Sequence, residues 1–143
     1  MKIWHKDLIP VLPNRMLIGQ FRQLCDIARD IMIKGKTGNP FVDRVTDFPE
    51  SHLYSYALFI REEIEKRGYY CEWKKLERWI PIYLTTASQT PMNKSAIFAE
   101  GWHNDRYFEQ CYYSLQEMYD CGKITLEEMQ LIDCERANRM KIQ

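Results

Sequence analysis

The segment Trp102-His103-Asn104-Asp105-Arg106 places an indole, an imidazole, an amide, a carboxylate and a guanidinium side by side. Imidazole can accept a hydrogen bond, shuttle a proton or ligate a metal. Indole can stack on an unpaired base, an interaction worth about 1–3 kcal/mol. Read as structure alone, the same residues are a helix start with Asn104 or Asp105 as its cap. The chain has three histidines, His5, His52 and His103, and five cysteines at positions 25, 71, 111, 121 and 134. The cysteine count is odd, the spacings are wide and no C-x-x-C occurs, which argues against a zinc ribbon and against a secreted disulfide framework. The cysteines read as reduced thiols, mostly packed in a core. No metal site and no cofactor is expected.

The elements that must position this cluster can be read from periodicity. Asp7-Leu8-Ile9-Pro10-Val11-Leu12-Pro13 holds two prolines and is expected to be extended or turning. Leu17, Phe21, Leu24, Ala28 and Ile31, with Ile18, Cys25 and Met32, keep helical spacing over about residues 14–33, with Asn14 as its expected N-cap. Residues 34–40 read as a loop. Asp47-Phe48-Pro49-Glu50 looks like a second helix start, with Asp47 capping and Glu50 closing a capping box. Leu53, Ala57, Ile60 and Ile64 form its apolar face, and Gly68 ends it. A short aromatic segment runs from Trp73 to Trp79. Residues 81–101 read as a long loop with at most short helix. Tyr107, Phe108, Cys111, Leu115, Met118 and Tyr119 mark a further helix that stops at Gly122. Thr125 and Glu128 form a T-x-x-E capping box for a last helix over about residues 126–139. The fold class is all-α, a compact bundle of about five helices with a long loop region, in one domain over residues 1–143.

Composition bounds the function. At 143 residues the chain is long enough for a substantial core. The N-terminus is charged and has no apolar run of signal-peptide length, and no stretch suits a membrane span. The expectation is a cytoplasmic protein that uses no membrane. Formal net charge is zero, whereas proteins that neutralise phosphates usually carry a basic surplus. The charge is unevenly spread: residues 1–45 carry +4, residues 46–100 carry −1 and residues 101–143 carry −3. A basic face belongs, if anywhere, to the N-terminal third.

Three segments in order resemble the pyrimidine-dimer DNA glycosylases of the endonuclease V type, and their small bacterial branch in particular. The first is Met1-Lys2-Ile3-Trp4-His5-x-x-Leu8-Ile9-Pro10-x-Leu12-Pro13. The second is Leu17-Ile18-Gly19-Gln20-Phe21-Arg22-Gln23-Leu24, similar to a leucine-x-x-x-aromatic/His-Arg-Glu-leucine helix. The third runs from Leu53-x-x-Tyr56 to Ile64-Glu65-Lys66-Arg67-Gly68-Tyr69. Trp102-His103-Asn104-Asp105-Arg106-Tyr107 also looks like the bacterial branch. The resemblance implies a compact helical protein that binds damaged duplex DNA containing a cyclobutane pyrimidine dimer and displaces a base from the stack; a monomer is expected. It further implies a backbone α-amine that attacks the sugar C1′ to give a Schiff base, a glutamate that assists, and strand cleavage by β-elimination, with no cofactor.

Carried over residue by residue, the resemblance makes Met1, Lys2 and Gln23 the catalytic positions. An α-amine with pKa near 7.7–8.0 is roughly 10–15% neutral at pH 7, and an ordinary lysine only about 0.04%. The Met1 α-amine is therefore the first candidate nucleophile and the Lys2 side chain the second. Lysine at position 2 is bulky enough to leave Met1 in place. Gln23 stands where the family carries its catalytic glutamate, and an amide has the shape of that group without its charge or its titration. Three readings stay open: an engineered change, a natural non-catalytic relative, or a different acid such as Asp7, Asp26 or Asp105. Arg22 matches the arginine before the acid and implies a phosphate or flipped-site contact. His5, Arg22, Trp102, His103, Asn104, Asp105 and Arg106 are then the expected DNA-binding set. Ile3, Met16 and Asp26 fall where the phage enzymes carry further basic residues, which fits a divergent branch. The competing reading is a non-catalytic DNA-binding or protein-interaction module on the same scaffold.

Overall fold

A computed structural model describes residues 1–86 and 92–142, and among them the chain is all-α with no strand. Six α-helices are present among the described residues: α1 Asn14–Lys34, α2 Glu50–Lys66, α3 Trp73–Glu77, α4 Ile82–Thr86, α5 Asp105–Asp120 and α6 Leu126–Ile142. This agrees with the anticipated bundle of about five helices, and the short aromatic segment supplies the five-residue α3.

The core follows the apolar stripes. Leu17, Phe21, Leu24 and Ala28 of α1 are buried, as are Leu53, Ala57, Ile60 and Ile64 of α2, and the two helices pack together. Phe108, Cys111 and Leu115 face inward from α5, which packs on α6. Ile18 and Cys25 are only half-buried, and Met32 is exposed. All five cysteines are free thiols; Cys71 and Cys111 are buried, Cys25 is half-buried, and Cys121 and Cys134 are exposed. The expectation of mostly core thiols holds for fewer of them than anticipated.

Local chemistry sets the boundaries. Thr125 and Glu128 form the anticipated reciprocal box, with Thr125 N–H donating to Glu128 Oε1 at 2.9 Å and Glu128 N–H to Thr125 Oγ1 at 3.2 Å. Gly68, at φ +88°, lets Tyr69 N–H reach back to the Ile64 carbonyl at 3.1 Å and close α2. Two expected caps are corrected. Pro13 holds the N-cap position of α1, its carbonyl accepting from Met16 and Leu17, and Asn14 instead bonds Tyr69 and Arg67. Pro49 holds the N-cap position of α2; Asp47 ends a preceding 3-10 turn, and Glu50 accepts from the Tyr83 hydroxyl.

The proline-rich segment near the start turns rather than extends, the second of the two alternatives its prolines leave open. Lys6–Val11 forms a 3-10 helix containing Pro10. Its free carbonyls are gathered by the Arg67 guanidinium, which donates to Ile9 O at 3.2 Å, Pro10 O at 3.0 Å and Leu12 O at 2.6 Å. Long-range donors thus complete the turn. Among the described residues between 81 and 101, helix is confined to the short α4 and a 3-10 turn at Lys94–Ala96, as anticipated, and the part of that segment at 87–91 lies outside the described residues. Phe98 is fully buried at φ 52°, a conformation costly for an aromatic residue and maintained only by its surroundings.

Candidate functional site

Residues 1–5 have no regular structure and are held by side chains of three helices. Gln20, 1% exposed, sits on the apolar stripe of α1 between Leu17 and Leu24. Its Oε1 accepts from Trp4 N–H at 2.8 Å and from the Tyr56 hydroxyl at 3.2 Å, and its Nε2 donates to Lys2 O at 3.0 Å. The Tyr56 hydroxyl also donates to Trp4 O at 2.6 Å, and Tyr107 donates to Ile3 O at 2.5 Å. The carbonyls of Lys2, Ile3 and Trp4 are therefore each satisfied by a different element. Burial raises the pKa of Tyr56 and Tyr107 well above the usual phenol value. Both hydroxyls stay protonated and able to donate.

This clamp brings the terminal backbone to Gln23. Lys2 N–H lies 3.4 Å from Gln23 Oε1, a long contact. The Lys2 ammonium donates to Ser114 Oγ at 2.9 Å and rests 5.0 Å from the Trp4 ring centroid, so it is engaged on α5. Met1 is 55% exposed and borders a hollow of about 530 Å³. The same hollow is lined by Phe41, Arg44, Tyr107 and Gln110. Phe41, 77% exposed, is the open aromatic ring at this end of the molecule.

The histidines are buried below this surface. His5 and His103 stack at 5.0 Å between ring centroids, and both are almost inaccessible. His5 Nδ1 accepts from Asp7 N–H at 3.1 Å, His103 Nδ1 from Lys6 N–H at 3.0 Å, and His52 Nδ1 from Phe98 N–H at 3.0 Å. These acceptor roles assign the neutral Nε2–H tautomer to all three rings. Burial lowers the His5 pKa to about 4 and drives His103 lower still, the neighbouring His5, Lys6 and Arg44 adding to the effect.

Such groups link folding to pH. The unfolded chain takes up these protons near pH 6.5, while the folded chain resists until about pH 4 at His5. Stability contributed by the neutral rings is thus complete above about pH 6.5 and lost as pH falls towards 4. His5 by itself accounts for about 2 kcal/mol between pH 7 and pH 5. Urea unfolding at these two pH values should show a clear fall in midpoint; a midpoint that holds or rises would overturn this assignment.

The expected site residues separate into distinct places. Trp102 is 1% exposed and packs among Phe48, Phe98, His103 and Tyr107. Trp102, His103 and His5 therefore pack beneath the surface. Asn104 caps α5, its Oδ1 accepting from Tyr107 N–H at 2.9 Å. Asp105 pairs with Arg139 at 2.6 Å, and Asp7 pairs with the same guanidinium. Arg106 is exposed at the start of α5. Arg22 is exposed in a separate groove with Cys25, Asp26, Glu72 and Lys75, which shares no residue with the Met1 hollow. Neither Gln23 nor any of Asp7, Asp26 and Asp105 lines the Met1 hollow; Gln23 reaches the terminal segment through Lys2 N–H.

Several positions escape a linear reading. Arg44 donates to Gly101 O at 2.8 Å and lies 5.1 Å from the Trp102 ring and 5.6 Å from the Tyr107 ring. Lys6 is buried, and its ammonium donates to Ser95 O at 2.9 Å and Ile97 O at 2.7 Å. Burial lowers its pKa below the ordinary lysine value. Only Gln20 carried a signal in sequence, as an amide placed on an apolar helical stripe. Among the described residues no three His, Cys, Asp or Glu side chains gather as a metal site requires, and no helix is long and apolar enough to cross a membrane.

Comparison with curated proteins and with solved structures gives no match. A family model described as pyrimidine dimer DNA glycosylase matches residues 1–76, more than half of the 143. That span contains the terminal segment, α1 with Gln20 and Gln23, and α2 with Tyr56 and Arg67. Two of the helices that clamp the N-terminus are thus covered by the family model, and the chain belongs to the pyrimidine dimer DNA glycosylase family.

Proposed function

We propose that the protein acts on damaged duplex DNA through the α-amine of Met1, with Gln23 in the position of the assisting acid. The observation that carries this reading is the clamp of Gln20, Tyr56 and Tyr107 on the terminal backbone. It holds Lys2 N–H within 3.4 Å of Gln23 Oε1 while Met1 borders an open hollow. The Lys2 ammonium, bonded to Ser114, is the poorer candidate. In this chemistry the neutral amine attacks C1′ of the lesion nucleotide, the C1′–base bond breaks and the base leaves with the bonding pair. Opening of the sugar ring then gives the protonated imine. Loss of a C2′ proton expels the 3′-phosphate and cuts the strand. Phe41, exposed in the same hollow, is placed to stack on bases unpaired by displacement.

The amide of Gln23 cannot take or give the proton that a carboxylate would, so the expected activity is slow. The test uses duplex DNA with an abasic site and, in parallel, ultraviolet-irradiated duplex, each under borohydride. A slowly accumulating adduct should map to Met1 and vanish when the α-amine is selectively acetylated. An adduct that survives acetylation and maps to a lysine would overturn the assignment. Binding of lesion duplex without any adduct would favour the second reading, a non-catalytic damage-binding protein, which Gln23 and the zero net charge support. Absence of both adduct and binding would sink the DNA-repair reading.

A further inference from the structure

Beside the Met1 hollow lies a smaller one of about 200 Å³, lined by Arg44, Asn104, Arg106, Tyr107 and Gln110 together with the Gly101–Trp102 turn. No carboxylate of the described residues lines it. Arg44 is fixed there by its bond to Gly101 O and by the Trp102 and Tyr107 rings. That bond uses one N–H and leaves other donors of the fork for a ligand. Asn104 spends its Oδ1 on Tyr107 N–H, so the group it retains is its amide NH₂. Arg106 has no ion-pair partner among the described residues, while the neighbouring Asp105 is paired with Arg139. Arg44, Arg106, Asn104 and Gln110 thus line one hollow, at the start of a sixteen-residue helix whose dipole favours an anion.

We propose that this hollow is a phosphodiester clamp, with Arg44 and Arg106 holding one backbone phosphate and Asn104 and Gln110 completing its hydrogen bonds. Paired guanidinium donors match the bidentate geometry of phosphate oxygens. Arg44, Tyr107 and Gln110 line both hollows, so a phosphate bound here fixes a nucleotide next to the Met1 amine. The charge needed for binding is local, which reconciles a DNA ligand with a chain of zero net charge. The inference rests on the DNA reading above, and it assigns to Arg44 and Arg106 the phosphate contact that the family resemblance expects of Arg22.

The test measures binding to duplex DNA containing a stable abasic-site analogue, between about 50 and 200 mM salt. Arg106→Ala and Arg44→Met should each weaken binding and flatten the slope of log K against log[salt], the two together by about 0.9, since the pair neutralises one phosphate. Arg61→Ala, in the Glu65 pair on α2, should leave the slope unchanged. Arg106 is exposed, so its loss does not endanger folding. Unaltered slopes in both variants would overturn the clamp even if the duplex binds tightly. If the duplex does not bind at all, the DNA reading fails, and titration with inorganic phosphate decides the clamp separately. Shifts of the Asn104 and Gln110 side-chain amide resonances that disappear in Arg106→Ala would uphold an anion site for free phosphate; unmoved resonances would reject it.

Discussion

Gln23→Glu should raise the rate of borohydride-trapped adduct formation on abasic-site duplex by about 10²–10⁴-fold, the usual contribution of a positioned general acid–base group. The substitution changes neither side-chain length nor branching, so α1 should form as before. It would place a carboxylate where Gln23 Oε1 now meets Lys2 N–H at 3.4 Å. A carboxylate there can accept the amine proton during attack, stabilise positive charge developing on the sugar, and return a proton as the imine forms. Single-turnover trapping with the two proteins side by side gives the ratio. Equal rates would show that position 23 does not touch the reaction. A gain that persists after acetylation of Met1 would move the nucleophile elsewhere.

The second large effect concerns Gln20. Gln20→Met keeps a chain of similar size on the apolar stripe of α1 and removes three hydrogen bonds to the terminal segment and Tyr56. Trp4 N–H and Lys2 O would lose their partners, each at about 1–3 kcal/mol if they stay buried. The expected loss of stability is about 3 kcal/mol on the same scale, read as a lower urea midpoint with an unchanged m-value. Fraying of residues 1–4 would limit that loss and should appear as faster amide exchange at Trp4. A positioning role makes a further demand: combined with Gln23→Glu, Gln20→Met should slow adduct formation at a temperature where the protein remains fully folded. A folded double variant that reacts as fast as Gln23→Glu would reduce Gln20 to a purely structural residue.

The two outcomes together separate chemistry from placement. Gln23→Glu restores a proton acceptor without moving the amine. Gln20→Met frees the amine without altering the acid. Histidine is the usual proton carrier near neutrality, but His5 and His103 are buried with their Nδ1 atoms accepting backbone bonds, the half-buried His52 accepts from Phe98 N–H, and none of the three lines the Met1 hollow.

Periodicity alone determined the all-α class, the buried faces of α1 and α2, the stop at Gly68 and the box at Thr125–Glu128, because each depends on residues within a turn or two of one another. Motif order alone determined the family, since residues 1–76 hold its segments in sequence. At Lys6–Val11 the prolines left extended and turning backbone equally open, because the donor that completes the 3-10 helix is Arg67, at the far end of α2. Trp102 and His103 read as surface chemistry for the same reason in reverse: what buries them comes from Phe48, Phe98 and the first six residues. Only the tertiary structure decided that Arg22 faces a groove apart from Met1, and that Arg44 and Arg106, distant in sequence, share one hollow. Helical pattern records which side of a helix avoids water. Which charges meet across that packing depends on long-range docking, and no local spacing encodes it.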